Sequence, residues 1–294
     1  MGPPADGLVA QSTYRYLRLM MITLPTLLLV ATALAFFWLG TIETSISAYY
    51  LGPIRDVFVG VLMAAAACLV VYRGSSPLED FALDVAGFFA IFVALVPTRL
   101  DLTLADLDAP RRADLITALQ ASTVAVLVVS ALFILVEVRT APWSPAPLGP
   151  HRPTRVIAAV TNAVLVLFVA FVVLRVLEGK DFAGVHGAAA VLLIASLAVA
   201  VASHAWPGAT GAQGSSTDAA RRDHRGKYRM ILLLMVAGAP LYGLLRLVGW
   251  DYALLAVEWY EIALFALFWV LETRRTWSDV PPGSRPGPAQ PARG

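Results

Sequence analysis

Glu258 and Glu261 stand three residues apart in EWYEIALFALFW, a spacing that sets two carboxylates on one face of a helix. The run around them is apolar, and an ionisable group in such a run must pair, reach the interface or line a wet cavity. Other chemically able side chains recur at matching places: Tyr50, Arg55 and Asp56 in AYYLGPIRDVF, His186 in GVHGAAA, and Arg246 with Asp251 around GW. Gathered, they would make a polar pocket for a small molecule, an ion or a lipid headgroup. Asp56, His186 and either glutamate would also be chemically competent to hold zinc or a harder cation. A structural reading competes, in which Glu258 or Glu261 pairs with Arg246 and merely fixes helix packing.

The sequence offers little for catalysis. Four histidines occur without HxxH, HxxxH or HExxH spacing, and the 18 residues between His186 and His204 amount to about 27 Å of helix, too far for one metal. Cys68 is the only cysteine, which excludes an intrachain disulfide and a cysteine zinc cluster. Neither a phosphate-cradling glycine loop nor a GxSxG elbow is present. Ser45 and Ser47 in TSISAYY are hydroxyls that a neighbouring His186 could activate, so an intramembrane hydrolase stays an alternative. No catalytic residue is assigned, the metal question is open and no cofactor is indicated.

The elements that must position these groups are membrane spans. Of 294 residues, 59% are hydrophobic and 14% charged, against about 25% charged in ordinary soluble domains. A helix needs roughly 20 apolar residues to cross a ~30 Å hydrocarbon layer. Eight runs qualify, near 17–40, 54–72, 81–98, 114–138, 155–178, 185–206, 229–249 and 253–272. The expected fold is an all-α polytopic transmembrane helix bundle of about eight spans over 17–272, with a tail at 1–16 and a disordered Pro/Gly-rich tail at 273–294. The first run is too long for a cleaved signal peptide, since it continues through Trp38.

Lys and Arg mark cytoplasmic connections. Counting alternate connections with both tails gives fifteen basic residues on one side and seven on the other, which predicts a multi-pass protein of the cell membrane with both termini in the cytoplasm. RRDHRGKYR weighs most in that count and reads as a topology anchor, so no nucleic-acid partner is expected. This orientation brings Arg55, Asp56, His186, Arg246 and the two glutamates to the outer leaflet. Asp84 reads as a carboxylate that reaches the interface or pairs with Arg73, with a proton or ion ligand as the alternative, and Arg175 with Glu178 as interfacial charges. Gly60, Ala64 to Ala67, Gly87, Gly184 and Gly187 would allow close helix approach, and Pro25 and Pro240 would interrupt their helices. Apolar spacing in RLDLTLADLDAPRRAD fits a short amphipathic turn on the outer surface, and a structureless connector fits it equally.

SISAYYLGPIRDVFVG, VYRGSSPLED and FALDVAGFFAIFVALVPT resemble a family of uncharacterised bacterial multi-pass membrane proteins carrying ISAYY, RDVFVG, YRG and ALxPT. VHGAAAVLLIASLAVAVASH, KYRMILLLMVAG and EWYEIALFALFW are similar to that family's closing three helices. A more distant similarity is to six-span proteins of the DUF998 or Frag1/DRAM/Sfk1 type. The resemblance implies six usual spans, with residues 114–178 an additional helical pair. It implies no activity. The functional expectation is a protein that binds or moves a small ligand, ion or lipid through an outward pocket, with a hydrolase and a structural assembly factor as alternatives.

Overall fold

The structure is a computed structural model, and it describes residues 5–98, 100–140, 152–179, 182–206 and 218–277. Most of the expected Gly/Ser/Ala linker and the Pro/Gly-rich tail from 281 onward lie outside the described residues. Hydrocarbon offers no partner for backbone N–H and C=O groups, so spanning segments close their hydrogen bonds internally. The chain accordingly forms α1 (Ala5–Leu39), a 3-10 turn (Ile46–Leu51), α2 (Arg55–Val71), α3 (Pro77–Leu95), α4 (Leu100–Ala105) and α5 (Ala109–Thr140). Then come α6 (Arg152–Glu178), α7 (Val185–Ala205), α8 (Asp218–Leu247) and α9 (Ala253–Thr276). No strand occurs among the described residues.

Six of these helices, α1 and α5 to α9, are long and apolar enough to cross a membrane. The chain is a multi-pass membrane protein. At 17 and 19 residues, α2 and α3 are the shortest of the eight long helices. The ring runs α1, α2, α3, α7, α8, α9 and back to α1. One end carries the 3-10 turn and is called the lid end. The other gathers Arg15, Arg18, Arg73, Arg229 and Arg275 and is called the basic end.

Helix ends differ from the hydropathy boundaries where local chemistry outweighs it. α8 begins at Asp218, not near 229, so RRDHRGKYR is helical; Ala and Arg are strong helix formers and carry the helix past the apolar stretch. α3 begins at Pro77 because Ser76 caps it, its hydroxyl accepting from Glu79 N at 3.2 Å, and proline suits the first helical position. The segment after α3 does form a short helix, α4, whose Leu100 and Leu104 are buried.

α5 and α6 stand outside the ring, against α3 and α7. Phe168 of α6 sits edge-on to Phe88, Phe89 and Phe92 of α3, with centroids 5.1 to 6.3 Å apart. Gln120 donates to Val176 O at 2.9 Å, joining the pair to each other. Arg73 bridges Asp84 at 3.2 Å and Glu137 of α5 at 3.7 Å, and Arg175 pairs with Glu178 at 3.1 Å. Both α1 and α8 continue through their prolines.

Close approach occurs where two of the expected small-residue sites meet, Gly87 and the Ala64–Ala67 stripe. A Cβ on Gly87 would come within 2.7 Å of Val70 Cγ2 and 2.8 Å of Ala66 O, whereas Gly60 and Gly187 face open space. Gly184 instead starts α7 in a left-handed conformation, φ +80°, which favours glycine. Gly87→Leu should therefore push α2 from α3 and cost about 1–3 kcal/mol, read as a lowered unfolding temperature in detergent. Gly60→Leu should leave that temperature nearly unchanged; equal effects would refute the close packing.

Candidate ligand cavity and its two closures

Along α9, Glu258, Glu261, Ile262 and Phe265 follow the i, i+3, i+4, i+7 rule of a single helical face, and all four line a cavity inside the ring. Its volume is about 140 Å³. Leu28, Phe58, Val61, Val93 and Leu193 contribute apolar walls from α1, α2, α3 and α7, and Ser47 reaches in from the 3-10 turn. Across from α9, α8 offers Gly238, where any Cβ would overlap the Glu261 carboxylate. Glycine there leaves the glutamate its room.

The lid is built from TSISAYY. Ser45 caps the 3-10 turn, its hydroxyl accepting from Ala48 N at 3.1 Å. Glu258 latches it: Oε2 accepts from Ile46 N and Oε1 from Ser47 Oγ at 3.5 Å. Buried Tyr49 donates to Thr41 O at 3.2 Å, and Tyr50 to Leu95 O at 3.4 Å. Arg55 donates to the Tyr50 hydroxyl at 3.3 Å and lies 4.9 Å over that ring. Leu255 N donates to Thr44 O, tying the approach to the lid onto α9.

The seven residues singled out by sequence thus separate. Glu258 and Glu261 line the cavity, and Tyr50 and Arg55 brace the lid. His186 is buried behind it, 2.6 Å from Val96 O through Nδ1. Asp56 and Arg246 are exposed, and neither lines the cavity. Glu258 takes its partners from the lid, not from Arg246. Ser47 bonds to Glu258, while His186 Nε2 has no hydrogen-bond partner among the described residues, so no Ser–His couple forms there. No group of three or more His, Cys, Asp or Glu suited to a metal occurs among the described residues.

The basic end holds a second polar assembly that the sequence reading passed over. Glu79 of α3, His204 of α7 and Glu272 of α9 are all buried. His204 Nε2 lies 2.8 Å from Glu79 Oε1, and its Nδ1 lies 3.7 Å from Glu272 Oε2. Arg275 grips Glu272 with two bonds of 2.6 and 3.0 Å, and Tyr228 of α8 donates to it at 2.8 Å. Ser75 satisfies the other Glu79 oxygen through its N–H and hydroxyl, at 2.6 and 3.0 Å. Tyr72, T-shaped on Trp269 at 4.7 Å and stacked on Tyr14 at 5.3 Å, completes an aromatic plug. The signal was available: alternating spans put residues 72–79, 204, 228 and 272 at one depth.

Comparisons with protein-family models, with curated proteins and with solved structures give no match. The site is therefore read from its own geometry.

Removing one partner from a buried charge pair strands the other, which typically costs 3–5 kcal/mol. His204→Ala should lower thermal stability on that scale, measured by unfolding in detergent, and Glu79→Gln added to it should restore part of the loss. A double variant weaker than His204→Ala would show that the two groups are not coupled.

Proposed function

We propose that the protein binds a small amphipathic molecule inside the six-helix ring, admitting it at the lid end. The observation carrying this reading is a cavity walled by hydrocarbon side chains into which one helix presents two glutamates. Ligand sites in proteins combine a mostly apolar lining with a few placed polar groups, and a membrane cavity so lined suits a molecule with an alkyl or aromatic body and a polar head. The basic-residue bias supports a cytoplasmic basic end, hence a lid facing away from the cytoplasm. The aromatic plug between cavity and basic end favours binding from one side over an open conduit. The six-plus-two arrangement of helices accords with the six-span pattern that the sequence resembles.

A photoreactive octanol carrying a diazirine tests the site. In nanodiscs it should label the 258–265 face of α9 saturably, and Ala190→Phe, which fills the cavity from α7, should reduce that labelling at least tenfold. Labelling confined to lipid-facing α5 and α6, and unaffected by Ala190→Phe, would defeat the proposal. Orientation is tested separately in a Cys68→Ser background. Thr44→Cys should react with an impermeant maleimide from outside the cell and Gly226→Cys should not; the reverse pattern would turn the lid inward.

A further inference from the structure

We infer that the polar head of the ligand is an organic cation, a hydrophobic amine whose nitrogen sits against Glu261 with Glu258 beyond it. The inference rests on the cavity being a ligand site and names what that site selects. Its starting point is a charge imbalance. Glu258 and Glu261 are the charged residues on the cavity wall, and no Arg, Lys or His lines it among the described residues.

The other glutamates inside the bundle have partners among the described residues. Glu272 has the Arg275 fork and the Tyr228 hydroxyl, Glu79 has Ser75 and His204, and Glu258 has the lid. Glu261 is 6% exposed, and its Oε2 has no hydrogen-bond partner among the described residues. A carboxylate held in apolar surroundings without a donor is costly, and α8 supplies a glycine where any other residue would crowd it. The carboxylate packs against that glycine, and its Oε2 is left without a protein donor among the described residues. A ligand ammonium supplies both the missing charge and the missing N–H, the strong form of hydrogen bond.

The surroundings select an organic cation over a metal ion. Calcium takes six to eight oxygen ligands, whereas this cavity offers two carboxylates and the Ser47 hydroxyl amid hydrocarbon. Phe58 from α2 and Phe265 from α9 also line the cavity, and aromatic rings attract cations. The alkyl body of an amine would be buried against Leu28, Val61 and Leu193.

Competition against the photoreactive octanol decides the matter, with octylamine, octyltrimethylammonium, octanol and octanoate compared at matched membrane-bound concentrations in neutral-lipid nanodiscs. Octylamine should displace the label from the 258–265 segment at about one-tenth the octanol concentration, a difference typical of a charge-assisted hydrogen bond. Octyltrimethylammonium should also outcompete octanol, and octanoate should compete least. Glu261→Gln should erase the amine's advantage while the octanol label persists. Equal potency of octylamine and octanol on the wild-type chain would overturn the cation assignment and leave the cavity standing. Absence of the label from α9 would remove both. Because the wild-type comparison decides alone, the conclusion does not depend on the variant folding.

Discussion

A carboxylate carried into hydrocarbon needs a donor, and three glutamates in this bundle find one among the described residues while a fourth, Glu261, leaves an oxygen without one. Glu272 is clasped by a guanidinium and a phenol, and Glu79 by a serine and an imidazole. Glu258 is used to hold a turn of backbone, which makes it both a wall of the cavity and the fastening of its cover. Glu261 has only the space that Gly238 vacates. Each solution requires a particular neighbour at a particular height. The closed order of the six ring helices is what brings those neighbours into register.

The two ends of the ring are consequently unlike in kind. The basic end is interlocked from four helices by side-chain pairs with aromatic rings packed around them. Sliding any one of those helices would break several contacts together. Over the lid end the cover is a six-residue 3-10 turn, held by backbone and side-chain bonds that exchange readily with water. Short 3-10 pieces have poor hydrogen-bond geometry, so this cover is the cheaper of the two closures to open.

Much of the frame was legible in the sequence because lipid imposes one rule on every segment. The eight apolar runs all became helices, six of them long and apolar enough to cross a membrane, and the i, i+3 spacing of Glu258 and Glu261 put both on one face, where the structure has them. Arg73 found Asp84 as charge and distance along the chain implied. What hydropathy could not carry was azimuth. Depth alone grouped Asp56 and Arg246 with the glutamates, but both are exposed and neither lines the cavity. The same blindness hid the Glu79–His204–Glu272 assembly, whose members read singly as ordinary span-end charges. Ser76 and Glu79 of SPLE form the cap of α3, and nothing in that segment showed that its glutamate would also meet a histidine 125 residues later.

The outer pair, α5 and α6, leaves the ring at the end of α3 and returns at the start of α7 on the same side. Those two points are already neighbours, as the His186–Val96 contact of 2.6 Å shows. A short hairpin joining them would keep every ring helix in its place and direction. The ring of contacts thus closes without passing through the pair, whose broad apolar flank is turned outward.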